Sequence, residues 1–213
     1  MQNITNFVSM DIVANGLLAL GASPAMVHAV EEVADFADLT ASLVVNIGTL
    51  SSTWTPSMSK AAGVMTEKGK PWVLDPVGVG ATPYRTSVAR DLLAIGPTVV
   101  RANASEVLAL AGASIGRTKG VDSTHGSDQA IEAARAIARE TGAVVTVTGA
   151  VDYVTDGERS FHVSNGVPMM TQVTALGCTS SAVVAAFLTV EKDPLAAAAE
   201  ALAVFGLAAE RAA

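Results

Sequence analysis

The sequence predicts an α/β fold: a mainly parallel sheet with helices on both faces and antiparallel strands at one edge. Three observations predict it. Short Val- and Leu-rich runs alternate with helical stretches four times along the chain, which is the rhythm of βαβ units. Half of the 213 residues are hydrophobic and only 4% are aromatic, with Ala, Val, Leu and Gly dominant; such a mix packs helices closely on a buried sheet. Beyond residue 152 the rhythm changes to short strand candidates parted by Asp156-Gly157 and Asn165-Gly166, both of them hairpin-turn pairs.

Ile4-Thr5-Asn6-Phe7-Val8 is a short apolar segment that breaks into polar residues. Residues 10–20 read as a helix with Ile12, Leu17 and Leu20 among its apolar positions and Gly21 as the stop. Ala25-Met26-Val27 fits a short strand. Residues 30–39 form an amphipathic helix with Glu31, Glu32, Asp35 and Asp38 on its wet side. Leu43-Val44-Val45-Asn46-Ile47-Gly48 is a buried strand ending in Gly48-Thr49. A helix over 56–68 leads to the strand Trp72-Val73-Leu74-Asp75, which ends in Pro76-Val77-Gly78-Val79-Gly80. A helix over 87–95 leads to Thr98-Val99-Val100, which ends in Arg101-Ala102-Asn103. Asn103 can cap the short helix over 104–111. Residues 116–126 read as a polar loop and 127–141 as an amphipathic helix with Ile131, Ala134 and Ala138 inward. Ala143-Val144-Val145-Thr146-Val147-Thr148-Gly149 is the fourth buried strand. Tyr153-Val154-Thr155, Phe161-His162-Val163 and Met169-Met170-Thr171 are the antiparallel candidates. Two helices close the chain, one after Cys178 and one from Pro194 onward.

The length fits a single sizeable domain. Net charge is −7, the isoelectric point is about 4.9, and no Lys/Arg cluster exists, which argues against a nucleic-acid partner. Mean hydropathy is high at +0.44, yet no apolar run reaches the roughly 18 residues of a membrane span. The excess predicts a covered subunit interface and no membrane. One cysteine excludes an internal disulfide, and no signal peptide opens the chain, so a reducing cytoplasm is expected. His28, His125 and His162 lack paired ligand spacing, which argues against a His-based zinc site. His125 reads as a solvated loop residue.

Ligands bind open parallel sheets beyond the carboxyl ends of the strands, and here those ends carry Gly48-Thr49, Asp75, Arg101 with Asn103, and Thr148-Gly149. A carboxylate after three apolar strand residues points to function. The planar fork of Arg101 suits phosphate oxygens, with a surface ion pair as the alternative. Glu106 stands three residues past Asn103, the spacing of a capping box; it could equally hold a metal-bound water. Thr148 offers a hydroxyl to a phosphate, although Thr is also a common strand residue. Met26 fits a core position.

Thr174-Ala175-Leu176-Gly177-Cys178-Thr179-Ser180-Ser181 leads straight into an apolar helix. Such a start leaves backbone N–H groups free beside the positive end of the helix dipole, a site for a phosphate or a developing anion. Cys178 sits at that end, where a thiol is expected to be more acidic than usual. The alternative is a tightly packed loop with a buried, inert cysteine. No Walker-type loop and no G-x-G-x-x-G after a strand is present, so any ATP chemistry falls to scattered rim residues.

Several segments carry a family likeness. Ile4-Thr5-Asn6, the run from Asn15 to Met26, Asn46-Ile47-Gly48-Thr49-Leu50, the run from Leu74 to Thr82, Arg101-Ala102-Asn103-Ala104-Ser105-Glu106, Val147-Thr148-Gly149 and Gly177-Cys178 together resemble hydroxyethylthiazole kinase, from one end of the chain to the other. The resemblance implies a ribokinase-like three-layer fold. It implies transfer of the ATP γ-phosphate, with Mg²⁺, to the alcohol of 4-methyl-5-(2-hydroxyethyl)thiazole in thiamine biosynthesis and salvage. It also implies a homotrimer with active sites between subunits. By the same likeness Met26, Asn6 and the Ala175 backbone meet the thiazole, Arg101 and Thr148 meet ATP phosphates, and Asp75 and Glu106 organise Mg²⁺ and its waters. Ala175, Leu176 and Gly177 form the anion hole, and Cys178 stands where most ribokinase-like enzymes place an Asp base. A thiolate there is a plausible, weaker proton acceptor.

Two departures accompany the likeness. The family loop is Thr-Gly-Ala/Thr-Gly-Cys, whereas Ala175 and Leu176 stand in it here, and Ala175 adds a Cβ that disfavours positive φ. Family members also begin earlier and continue further, with a tail that helps enclose the adenine, so a truncated single kinase domain lacking part of its nucleotide pocket is expected. The rival functions are another ribokinase-like small-molecule kinase, of the hydroxymethylpyrimidine type, and a non-catalytic thiazole-binding protein.

Overall fold

The computed structural model describes residues 1–114 and 126–213, residues 126 and 127 by their backbone alone. The polar loop expected over 116–126, with His125, lies almost wholly outside the described residues.

A seven-stranded sheet runs in chain order from β1 to β7. Strands β1 (Gln2–Ile4), β2 (Leu43–Asn46), β3 (Trp72–Asp75), β4 (Val99–Asn103) and β5 (Val144–Thr148) are mutually parallel. Strands β6 (Asp152–Thr155) and β7 (Ser160–Val163) add an antiparallel edge. The third antiparallel candidate is corrected: residues Pro168–Gln172 form a 3₁₀ turn instead. Pro168 fixes φ and lacks an N–H for a ladder, and its carbonyl accepts the Thr171 hydroxyl at 2.8 Å. Ala25-Met26-Val27 is not a strand either; only Ala25 bridges to Gln2.

Strictly sequential strand order with crossovers of one hand puts the connecting helices on one face. That face holds α2 (Val33–Leu39), α3 (Trp54–Glu67), α4 (Pro83–Leu93), α5 (Ala104–Ser114) and α6 (Gly126–Thr141). The other face is covered by α1 (Met10–Ala19), α7 (Leu176–Phe187) and α8 (Pro194–Ala212). Strand side chains alternate between the two cores. Val45, Leu74, Val100 and Val145 face the first helix group, and Val44, Val73, Val99 and Val144 face the second. Each such side chain, fully buried, contributes about 1.5–3 kcal/mol. Helix α4 begins four residues before the expected position because Thr82 caps it, its Oγ1 accepting the Arg85 N–H at 3.2 Å, with Pro83 next.

Candidate active site

The strand register sets Asn46 beside Asp75 and Asn103 beside Thr148 at the carboxyl edge of the sheet. Arg101 stands two residues before the end of β4 and follows Val99 onto the α7 face. The scattered polar strand ends therefore share one rim, above which α7 begins.

Asp75 is fully buried. Its Oδ2 accepts the Asn46 Nδ2 at 2.7 Å and the Ser181 hydroxyl at 2.8 Å, while Oδ1 has no partner. Burial pushes its carboxyl up to about 6; the Arg101 charge and the Ser181 bond pull the other way. An orphaned buried carboxylate oxygen is costly unless a ligand completes it. Cys178 is half-buried, and its sulfur accepts the Asn6 Nδ2 at 3.3 Å. The expected acidic thiol is corrected here. Burial lifts the thiol above its ordinary value and the Asp75 carboxylate pushes the same way, against the amides of Asn6 and Asn46 and the Arg101 charge.

Helix α7 starts at Leu176, and its first intrahelical bond runs from the Thr179 N–H to the Ala175 carbonyl at 2.9 Å. By helix geometry the amides of Leu176, Gly177 and Cys178 then lack intrahelical acceptors. Ala175 caps this end in the left-handed region, at φ 70° and ψ 1°. It is the only non-glycine residue with positive φ among the described residues. The loop thus keeps the backbone shape that glycine would take, with the Cβ present, at a strain of about 1–2 kcal/mol.

Arg101 packs against the same turn. A Cβ built on Gly177 would stand 3.0 Å from Arg101 Nη1, so glycine is what lets the guanidinium approach. Arg101 Nε is buried without a partner, a second unsatisfied polar atom beside the free amides. From here a cavity of about 600 Å³ opens, lined by Arg101, Thr148, Leu176, Gly177, Asp152 and Phe205 among others. Thr148 Oγ1 donates to the Ala102 carbonyl at 3.3 Å. Burial raises Asp152, whose Oδ1 accepts the Gly149 N–H at 2.9 Å.

Glu106 completes the capping box. Its Oε2 accepts the Asn103 N–H at 2.9 Å, and the Asn103 Oδ1 accepts the Glu106 N–H at 3.0 Å. Its Oε1 also accepts the Gly78 N–H at 2.8 Å, tying α5 to the turn after β3. Each oxygen keeps a further lone pair. No cluster of three or more His, Cys, Asp or Glu residues suits a metal among the described residues. A Mg²⁺ ion held chiefly by nucleotide phosphates needs only one or two carboxylates, and the free Asp75 Oδ1 with the spare lone pairs of Glu106 fits that need.

The Asn6 amide reaches the Cys178 sulfur, and the core on which Cys178 packs also carries Met26. Met26 is half-buried against the α1, α7 and α8 core and does not line the cavity beside Arg101. Three residues escaped the sequence reading. Asn46 and Ser181 hold Asp75, and Arg85 forks between strand ends. Arg85 Nη1 donates to the Ile47 carbonyl and to that of Val77 at 2.8 Å, and Nη2 to that of Gly48 at 3.1 Å. A polar residue closing an otherwise apolar strand was the available signal for Asn46; Arg85 and Ser181 carried none.

No helix among the described residues is long and apolar enough to cross a membrane. A solved structure of hydroxyethylthiazole kinase from Pyrococcus horikoshii OT3 matches with a TM-score of 0.91 at 47% identity, over 99% of this chain and 79% of that one. Pyridoxal kinase from Staphylococcus aureus, in complex with ADP, shares the fold with a TM-score of 0.66 at 17% identity, over 98% of this chain and 87% of that one. A hydroxyethylthiazole kinase of Granulibacter bethesdensis is 56% identical over 213 residues, all of this chain and 77% of its own length. The model of the hydroxyethylthiazole kinase family matches residues 1–213, and the chain belongs to that family.

Proposed function

We propose that this chain is a single kinase domain that transfers the ATP γ-phosphate to the hydroxyl of 4-methyl-5-(2-hydroxyethyl)thiazole. The observation that carries the reading is the convergence of the α7 amides, Arg101, Asp75 and Cys178 on one rim. Family membership gives the substrate.

Phosphoryl transfer depends mainly on positioning and charge stabilisation. The amides of Leu176, Gly177 and Cys178 and the Arg101 guanidinium stabilise charge on the phosphoryl oxygens. Thr148 borders the cavity that takes the nucleotide. Mg²⁺, when bound, neutralises the phosphates, and Asp75 and Glu106 would hold its waters. The Cys178 thiolate takes the proton of the attacking hydroxyl as the new P–O bond forms and the bond from the γ-phosphorus to the bridging oxygen breaks, so that ADP leaves. A raised thiol value leaves little thiolate at neutral pH but makes each thiolate the stronger base, so turnover rises with pH.

Asn6 adjoins Cys178, and Phe7 and Val8 beside it are 67% and 61% exposed. Such apolar residues next to a reacting group favour a thiazole site closed by a second subunit, within a homotrimer, with Met26 and Ala175 contributing from its two sides. A free thiol in this role favours a reducing, cytoplasmic setting. A substrate panel tests the assignment: phosphate should appear on the thiazole alcohol with Mg-ATP and not on hydroxymethylpyrimidine. Transfer to the pyrimidine alone would overturn it, and thiazole binding without any transfer would mark a binding protein.

A further inference from the structure

Asn46 has no place in the reaction just described, yet it is buried and bonded on both sides. Its Oδ1 accepts two donors, the Asn6 Nδ2 and the Gly48 N–H, each at 2.9 Å. Two donors on one oxygen fix the amide orientation, so Nδ2 must face the other way. It donates to Asp75 Oδ2 at 2.7 Å. With Ser181 on that same oxygen, Asp75 Oδ1 is left as the free one. On the other side, Asn6 Nδ2 also reaches the Cys178 sulfur, while Asn6 Oδ1 is pinned by the Val8 N–H at 3.1 Å.

The bonds therefore run from the Cys178 sulfur, which the Asn46 amide also meets, through Asn6 and Asn46 to Asp75, and through Ser181 to the Gly177 carbonyl in the first turn of α7. Gly48 makes room for it: a Cβ there would stand 2.7 Å from Asn6 Nδ2. We propose that Asn46 is a positioning residue that sets Asp75 and, directly and through Asn6, Cys178 as one unit. The inference rests on the kinase reading for its purpose but not for its test. Only a side chain with an acceptor on one edge and a donor on the other serves at this register position. A carboxylate would repel Asp75, and a hydroxyl is too short to bridge both neighbours.

Cys178 is the sole cysteine of the chain, so alkylation by iodoacetamide reports on one site without ATP, metal or thiazole. The experiment is a double-mutant cycle on the whole chain with Asn6→Ala, Asn46→Ala and the pair. Each single substitution should change the alkylation rate by at least about threefold, and the pair should match the larger single effect, not the product. In turnover, Asn46→Ala should lower kcat about tenfold or more, with KM for ATP within about threefold. An unchanged alkylation rate in Asn46→Ala, or factors that multiply in the pair, would overturn the proposal. Should Asn46→Ala not fold, as judged by thermal unfolding, Asn46→Ser replaces it in the same cycle. Failure of phosphoryl transfer in the unaltered protein would overturn the kinase reading and leave the alkylation cycle intact.

Discussion

The guanidinium of Arg101 rests on Gly177, with Nη1 3.0 Å from where a Cβ would stand. Gly177→Ala should push the guanidinium away by a few tenths of an ångström and disturb the paired hold on phosphate. A roughly tenfold loss in kcat/KM for ATP is expected, since misplacing a catalytic group by about an ångström can cost a hundredfold. Steady-state kinetics at varied ATP, beside an unchanged unfolding midpoint, check it.

Ala175 carries the opposite liability. Its left-handed backbone at φ 70° is strained by its own Cβ, and Ala175→Gly relieves that strain at some cost in unfolded-state freedom. The net expected gain is about 0.5–1 kcal/mol. Urea unfolding of the two proteins measures it.

Asp75 makes stability depend on pH. Its folded-state value of about 6 lies above the ordinary 3.8 because it is buried. Between about pH 4 and 6 the folded chain holds a proton that the unfolded chain has released, so stability falls as pH rises through that window. Above it the buried charge costs roughly 1–3 kcal/mol. Asp75→Asn should flatten this dependence and raise stability at pH 8 while abolishing turnover. Unfolding curves from pH 4 to 8 in both proteins would reveal the difference.

Arg85 joins the loops after β2 and β3 through three carbonyls. Arg85→Met should cost roughly 2–4 kcal/mol, and Arg85→Lys less, because an ammonium keeps the charge but not the fork. Denaturant unfolding of the three proteins ranks them.

Much of this architecture could be read from the residues because each buried strand is a short Val/Leu run. The rim was legible too, since polar residues end those runs at Asp75, Arg101 and Thr148. Met169-Met170-Thr171 misled because its apolar character suits a strand, while Pro168 just before it decides for a 3₁₀ turn. Glu106 matched its capping-box spacing, and its further bond to Gly78 depends on tertiary contact. The Cys178 thiol was misjudged because local sequence displays a helix start but not the burial and the Asp75 charge that outweigh it. Asn46, Ser181 and Arg85 act across 29, 106 and up to 38 residues of chain, separations that no local pattern encodes.

The central claim is that Cys178, above the α7 anion hole, takes the proton in phosphoryl transfer to the thiazole alcohol. Its most direct test is the steady-state turnover of Cys178→Ala against the unaltered chain with Mg-ATP and the thiazole alcohol. Turnover should fall at least about tenfold, with KM for the thiazole within about threefold. Unaltered turnover in Cys178→Ala would contradict the account.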